Sequence, residues 1–351
     1  MRAFPASVSA DSNPGCDRSA VLIVGLNWLG DSIMFMPALQ AYRARHRHRR
    51  LEILVRPHLA QLWRMHPDLA AVRVCSGKLP DLWRALPGLR AGGFVDSFIL
   101  PLSFRAALAP WLAGIPRRRG LVGHARDWML TDVCRLPATP RHQSRDYMQL
   151  LGVDDAVPPP PTLCIPPDFR AKWRGRLAES GAGTWVALFP GAAFGPAKRW
   201  PAAHFIETGR RLQRELAAGI VVLGAPAEAD LCRTVTEGVG GCVLNLAGRT
   251  SLTELAAVLS CCSLALTNDS GGMHLATALG IPVVAVFGVT DPCRTGPLGV
   301  RVRVLQDSAR CDRDLGRHLE HAAAALARIT PARAAEAALE LAAADVSAPQ
   351  P

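Results

Sequence analysis

Short apolar runs alternate with segments of helical spacing along most of the chain. Val21–Gly25 (VLIVG) is a β-branched run. From Asp31 to about Arg45 the apolar residues Ile33, Met36, Leu39 and Tyr42 recur at three-residue steps, which marks one face of a helix. Leu51–Val55, Val72–Cys75 and Phe94–Leu100 read as further strands, with Leu59–His66, Asp81–Leu89 and Ser103–Ala113 as helices between them. The stretch VPPPPTLCIPP, Val157–Pro167, interrupts this pattern, because its prolines lack amide donors and fix φ. Beyond it, strands are expected at Trp185–Phe189, Ile220–Leu223, Val243–Leu246, Leu264–Thr267 and Pro282–Phe287, and helices at Ala202–Leu216 and Leu252–Leu259. Strand and helix alternate on both sides of the proline run, which predicts two doubly wound, Rossmann-like α/β domains facing each other across a cleft. The expected division is a disordered extension (1–20), a first domain (21–157), a linker (158–167), a second domain (168–330), and a helix and tail (331–351). The Ala/Leu/Glu-rich stretch Pro331–Ala344 supplies that last helix.

A chain of 351 residues with 49% hydrophobic content supports two cores. No run approaches the roughly 18 apolar residues of a membrane span. Residues 1–20 also lack the apolar centre of a secretion signal, so a soluble, cytoplasmic protein is expected. The ten cysteines show no Cys-x-x-Cys spacing, and the pair Cys261-Cys262 reads as small residues leading into a strand. Charge changes the picture more. Residues 1–165 carry 21 Lys/Arg against 12 Asp/Glu, a balance of +9, whereas 166–351 carry 19 against 17, a balance of +2. The first half therefore expects an acidic partner, and nucleic acid, an anionic membrane surface or a phosphorylated substrate would each satisfy it.

In open parallel sheets ligands gather outside the carboxyl ends of the strands. Two loops of the second half leave strands in that direction. FPGAAFGPAKRWP delivers Lys198 just before a helix that Pro201 can open. In LTNDSGGMHLATALGIPVVAVFG, Asn268, Asp269, Ser270 and Gly271 stand ahead of a helix over Gly272–Leu279. Amides without intrahelical partners and the positive end of the helix dipole make that position an anion site. Gly271 and Gly272 lack the Cβ atoms that would keep a phosphate away. Simple capping by Ser270 or Asp269 explains the same residues, but Lys198 reaching the same sheet end favours the anion. His274, one turn inside, reads by itself as an ordinary helix residue. In the first half GLNWLGD spaces its glycines Gly-x-x-x-x-Gly without a following Lys-Ser/Thr, so it is neither a dinucleotide fingerprint nor a P-loop. It presents Asp31, as helix cap or as catalytic carboxylate. Arg43–Arg50 ends a helix as a solvated face, while Arg117, Arg118 and Arg119 are placed in a loop on the cleft side. Asp312-Arg313-Asp314 has the Asp-x-Asp form of a metal site but does not follow a strand, and no metal or cofactor is expected.

Five stretches, NWLGDSIMFMPAL, SFRAALAPWLAGIPRRRG, FPGAAFGPAKRWP, TNDSGGMHLATALGIPVVAVFG and TDPCRTGPLG, occur in the order in which they resemble the ADP-heptose:lipopolysaccharide heptosyltransferases, the family 9 glycosyltransferases. The likeness, closest to the heptosyltransferase II branch, runs from about residue 21 to 300, with ITPAR (Ile329–Arg333) similar to a late motif of the family. It implies a GT-B fold and an inverting, metal-independent transfer of L-glycero-D-manno-heptose from ADP-heptose to the heptose I residue of the lipopolysaccharide inner core. It also implies a monomer, peripheral to the inner membrane, meeting a lipid A–inner core acceptor at the cytoplasmic face. By the same resemblance Asp31 is the general base and Lys198 neutralises the donor phosphates. Asp269 holds sugar hydroxyls, and Asn268, Ser270, Gly271, Gly272 and His274 form the phosphate cradle. Thr250 and Glu228 complete the donor side, Glu228 as the candidate for the ribose. Asn27, Trp28, Ser103, Arg105 and Arg117–Arg119 belong to the acceptor. Ala193 and Phe194 stand where the heptosyltransferase I branch has hydroxyl side chains. The alternatives are another heptosyltransferase branch, a nucleotide-sugar epimerase of GT-B-like fold, and a basic nucleic-acid-binding protein. The last rests on charge alone and lacks both interleaved aromatics and a DNA-reading motif, so no nucleic-acid partner is expected.

Overall fold

Six parallel strands form each of two sheets in the computed structural model, which describes residues 19–193, 195–307 and 319–346. The first sheet holds β1 (Ala20–Val24), β2 (Arg50–Val55), β3 (Ala71–Val74), β4 (Phe94–Ile99), β5 (Arg117–Leu121) and β6 (Asp132–Cys134) in the order 3-2-1-4-5-6. The second holds β7 (Trp185–Phe189), β8 (Gly219–Val222), β9 (Val243–Asn245), β10 (Leu264–Asn268), β11 (Val283–Phe287) and β12 (Val302–Gln306) in the order 12-11-10-7-8-9. Counted within its own half, the second order is the first one repeated. Central strands such as β1 (AVLIV) and β11 (VVAVF) are buried at every position, as a parallel sheet covered on both faces requires.

Helices α1 (Leu29–Arg45), α2 (Ala60–Arg64), α3 (Leu79–Ala91), α4 (Phe104–Leu112) and α5 (Gln143–Leu151) flank the first sheet. Around the second lie α6 (Pro167–Ala178), α7 (Ala202–Glu215), α8 (Ala229–Val239), α9 (Leu252–Leu259), α10 (Gly271–Ala278), α11 (Pro292–Thr295), α12 (Leu319–Ala327) and α13 (Pro331–Val346). Residues 157–166, the proline run, carry no regular structure and make the one crossing between the halves among the described residues. The halves also touch directly. Helix α1 packs on α10 and α2 on α9, and the largest apolar cluster passes from Phe35 and Trp63 through Leu259 to Met273 without a break. Gln61 of α2 accepts the amides of Leu252 (2.9 Å) and Thr253 (3.3 Å), capping α9 from the other half.

Two expectations change here. Arg117–Arg119 are not in a loop: they open strand β5, at the amino end of the sheet and away from the cleft. Arg117 pairs with Asp96, Arg118 donates to the carbonyls of Ile115 and Met129, and Arg119 pairs with Asp132, so neighbouring carboxylates and carbonyls hold a run of cations in a strand. Asp31 is no helix cap, because α1 begins at Leu29 with Trp28 in the N-cap position and Asp31 lies inside the first turn. Cys262 is buried, which pushes its thiol pKa well up, and it packs in the core beside the partly buried Cys261. Residues 1–18, Phe194 and Asp312–Asp314 lie outside the described residues.

Candidate functional site

The strand order reverses between β1 and β4 in one half and between β7 and β10 in the other, and such switch points are where crevices open at the carboxyl ends of strands. Thr267 of β10 stands level with Phe189 of β7, so the loops that follow begin side by side. Asn268 ties them. Fully buried, it accepts the Trp200 amide (3.0 Å) and donates to the carbonyl of Pro190 (2.8 Å). Asn268 is thus a clip between loops, and its bonds set the path that delivers Lys198. The same turn, Gly195–Lys198, is backed by α12 through Ala197, Ala322 and Ala325. The Trp200 indole donates to the carbonyl of Ile329 (2.9 Å), which gives the ITPAR stretch its structural place.

Lys198 Nζ lies 2.6 Å from Asp269 Oδ2, and the Thr290 hydroxyl donates to the same oxygen at 2.8 Å. Thr290 escaped sequence reasoning as a functional residue, although it opens the motif TDPCRTGPLG. Ser270 is the N-cap of α10, yet its hydroxyl makes no capping bond. Neither side chain therefore occupies the first-turn amides as a cap would. The glycines act differently from expectation. A Cβ on Gly272 would stand 2.6 Å from the Phe189 ring, and one on Gly271 3.0 Å from Leu29 of the first half. Their bareness lets α10 lie close to β7 and α1 in addition to any ligand.

That close approach brings Asp31 to the cradle. A Cβ on Gly30 would meet the His274 ring at 2.8 Å, so the first turns of α1 and α10 abut. Burial raises the Asp31 pKa above the ordinary carboxylate value; a hydrogen bond from Gln143 Nε2 (3.3 Å) and the Lys198 charge act against that rise. Gln143 opens α5, a helix the periodicity did not reveal, so no signal in the sequence pointed to it. His274 is buried, which lowers its pKa to about 4, and the nearby His142 and Lys198 add to the shift against the opposing pull of Asp269. It is neutral near pH 7. His142 and Arg294 bridge the halves beside this point: His142 Nε2 sits 3.0 Å from the Gly296 carbonyl, and Arg294 donates to Arg141 O at 2.8 Å.

Glu228 ends a short turn after β8 and lies against Gly191, where a Cβ would overlap its carboxyl carbon at 2.0 Å. It follows the second strand of its half, and its carboxylate accepts the Ala225 amide at 2.8 Å. Thr250 lies half-buried in the loop after β9, next to α9. In the first half Asn27, Ser103 and Arg105 come together with Arg56, which sequence reasoning missed, around an open pocket also lined by Val24, Leu54 and Leu108. Arg56 donates to Asn27 Oδ1 at 3.2 Å. Trp28, 57% exposed, stands at the N-cap of α1. Among the described residues no group of three His, Cys, Asp or Glu side chains is placed to hold a metal ion.

A family profile described as glycosyltransferase family 9 (heptosyltransferase) matches residues 83–323. The chain is 30% identical over 307 residues to lipopolysaccharide heptosyltransferase 2 of Escherichia coli K12, covering 82% of this chain and 87% of that one. Lipooligosaccharide heptosyltransferase 2 of Haemophilus influenzae is 27% identical over 306 residues, with 82% and 88% covered. Among solved structures, ADP-heptose lps heptosyltransferase II of E. coli superposes with a TM-score of 0.82 at 26% identity, over 93% of this chain and all of that one. A family 9 glycosyltransferase from Veillonella parvula shares the fold with a TM-score of 0.85 at 24% identity, over 93% and 98%.

Proposed function

Because the chain belongs to glycosyltransferase family 9, the heptosyltransferases, we propose that it moves heptose from ADP-heptose to the lipopolysaccharide inner core, in the manner of heptosyltransferase II, at the cytoplasmic face of the inner membrane. One observation carries the chemistry: a half-buried carboxylate from the first half, Asp31, feels the Lys198 ammonium of the second, and its neighbour Gly30 abuts the neutral His274 imidazole at the start of α10, whose N-cap makes no side-chain bond. The donor diphosphate lies on the amides at the start of α10 and against Lys198. Asp269 takes hydroxyls of the transferred sugar, Glu228 those of the ribose, and Thr250 borders the nucleotide. Asn27, Trp28, Ser103 and Arg105, with Arg56, face the acceptor. The arginines of β5 are not part of that site.

The acceptor hydroxyl attacks the anomeric carbon from the Asp31 side. The new C–O bond forms as the bond to the diphosphate breaks, with inversion at that carbon, and the hydroxyl proton passes to Asp31. Negative charge grows on the departing ADP, so Lys198 and the fixed amides stabilise the transition state more than the bound donor. No metal ion is assigned a part in this step. Burial strengthens Asp31 as a base, and Gln143 and Lys198 act against that rise. The test is mass spectrometry of ADP-heptose incubated with and without inner-core acceptors. A heptose-sized gain on the acceptor, only when both are present, is expected. Donor consumed without acceptor would instead mean an epimerase, and no change with any acceptor would overturn the proposal.

A further inference from the structure

On the first half three aromatic side chains touch one another and face solvent. Trp128 is 61% exposed, Phe104 40% and Trp111 38%. The Trp111 and Trp128 rings meet edge-on at 5.2 Å between centroids, and Phe104 lies 6.3 Å from Trp128. Leu102, also exposed, precedes Phe104 by two residues. Single exposed apolar residues are ordinary, whereas a contiguous group marks a contact surface.

The backbone works to hold this group outward. Gly123, His124 and Ala125 follow one another with φ of 123°, 55° and 52°. Two of them carry side chains, for which the left-handed region is unfavourable, so the surroundings must fix it. They do: buried Arg126 donates to the carbonyls of Pro101 and Leu121, Asp127 accepts the Gly123 amide (2.9 Å), and the Trp128 indole donates to Ala125 O (3.1 Å). The loop is braced in an unfavourable conformation and presents an indole to water.

Charge selects the partner. The half that carries these rings holds the +9 balance, and Arg105, next to Phe104, is exposed with no carboxylate partner among the described residues. Indoles settle at the headgroup level of a bilayer, and nearby cations are drawn to anionic headgroups. Ser103 and Arg105, on either side of Phe104, line the pocket at the carboxyl ends of β1 and β4. We propose that Phe104, Trp111 and Trp128 seat the first half on an anionic phospholipid bilayer, so that a lipid-borne acceptor enters the cleft beside them. This extends the lipopolysaccharide reading above.

The full chain is to be sedimented with phosphatidylglycerol/phosphatidylethanolamine vesicles and with phosphatidylcholine vesicles, without donor. Binding to the anionic vesicles alone is expected, with tryptophan fluorescence quenched by brominated lipid. Trp111→Ser/Trp128→Ser should weaken that binding by about tenfold or more. Trp111→Ser alone, which leaves the loop intact, should weaken it less, and Val300→Ser, at a 97% exposed site in the other half, should not weaken it. Transfer to a deacylated, water-soluble acceptor should be unchanged in the double variant, and transfer to vesicle-borne acceptor should fall. Wild-type protein that ignores anionic vesicles, a double variant that binds like wild type, or a patch that proves to join two copies in sedimentation velocity would each overturn the proposal. Vesicle binding is read without turnover, so an inactive donor–acceptor pair would count against the assigned reaction and leave the docking result standing.

Discussion

The second half finishes the carboxyl ends of its strands with packed, mutually bonded loops; the first half, on the same strand order, leaves a pocket and exposed rings there. Asn268 clips two loops together, Gly272 lies on Phe189, and Lys198 is held by Asp269 and by α12 behind its turn. Opposite them, Asn27, Arg56, Ser103 and Arg105 rim an open volume. The difference separates two tasks. A diphosphate is a small, fixed shape that rewards preorganised donors. On the proposed reading the acceptor side needs room and charge, with one reactive group, Asp31, beside the second half's loops.

The sharpest way to break this division is to remove that group. Asp31→Asn should lower kcat by about a thousandfold, the size of a lost general base, with little change in donor affinity. Its stability should hold or rise. A pKa raised by burial means the folded state favours the protonated form, a stabilisation present at acid pH and lost as pH rises through the folded pKa, so the ionised group is a burden near neutrality. The wild-type rate should accordingly fall on acidification through a pKa above the ordinary carboxylate range. Retained turnover in the variant, measured with a matched acceptor, would remove the first half from the chemistry.

Lys198→Ala should cost about a hundredfold in kcat/KM, because a preorganised donor to the leaving group is lost. Donor kinetics like those of wild type would show that the amides of α10 suffice. Asn268→Ala tests the clip: it leaves the Trp200 amide and the Pro190 carbonyl buried and unpaired, and should cost about 2–3 kcal/mol in denaturant unfolding. A loss near zero would mean the loops hold without it. The smallest effect concerns His66 in the first half, buried and lowered to about 4 by burial first and by nearby Arg43 second. Its folded pKa lies below its unfolded value, so its share of stability is present above about pH 6.5 and is lost as pH falls towards 4. His66→Gln should flatten the acid decline of stability by roughly 1 kcal/mol per pH unit in that window. An unchanged slope would show that His66 already binds its proton in the fold.

What was legible in the sequence follows from how local each feature is. Buried strands such as VLIVG and WVALF announce themselves, because both faces of a parallel strand are apolar. The proposed cradle could be read because its loop chemistry lies within one stretch. Strand β5 was not, since RRRGL depends on Asp96 and Asp132 from neighbouring strands to tolerate its charge. Gln143 gains its role only when α5 packs on α1, and Asn268 was read as a ligand contact because its partners lie 68 and 78 residues away. The glycines at 271 and 272 were read as room for a phosphate, and the structure adds a second reason, the close approach of helix to strand and helix to helix.

The ten-residue proline run at 157–166 has a kinetic side. Prolines resist crumpling, and this run is fastened to the first half by Gln40 on the Pro160 carbonyl and by the Cys164 amide on the Met65 carbonyl, so the tie has little slack. Whenever the halves part, the carboxylate of one therefore stays leashed near the loaded partner at a high effective molarity, and re-engagement is a unimolecular event, independent of how dilute the protein is.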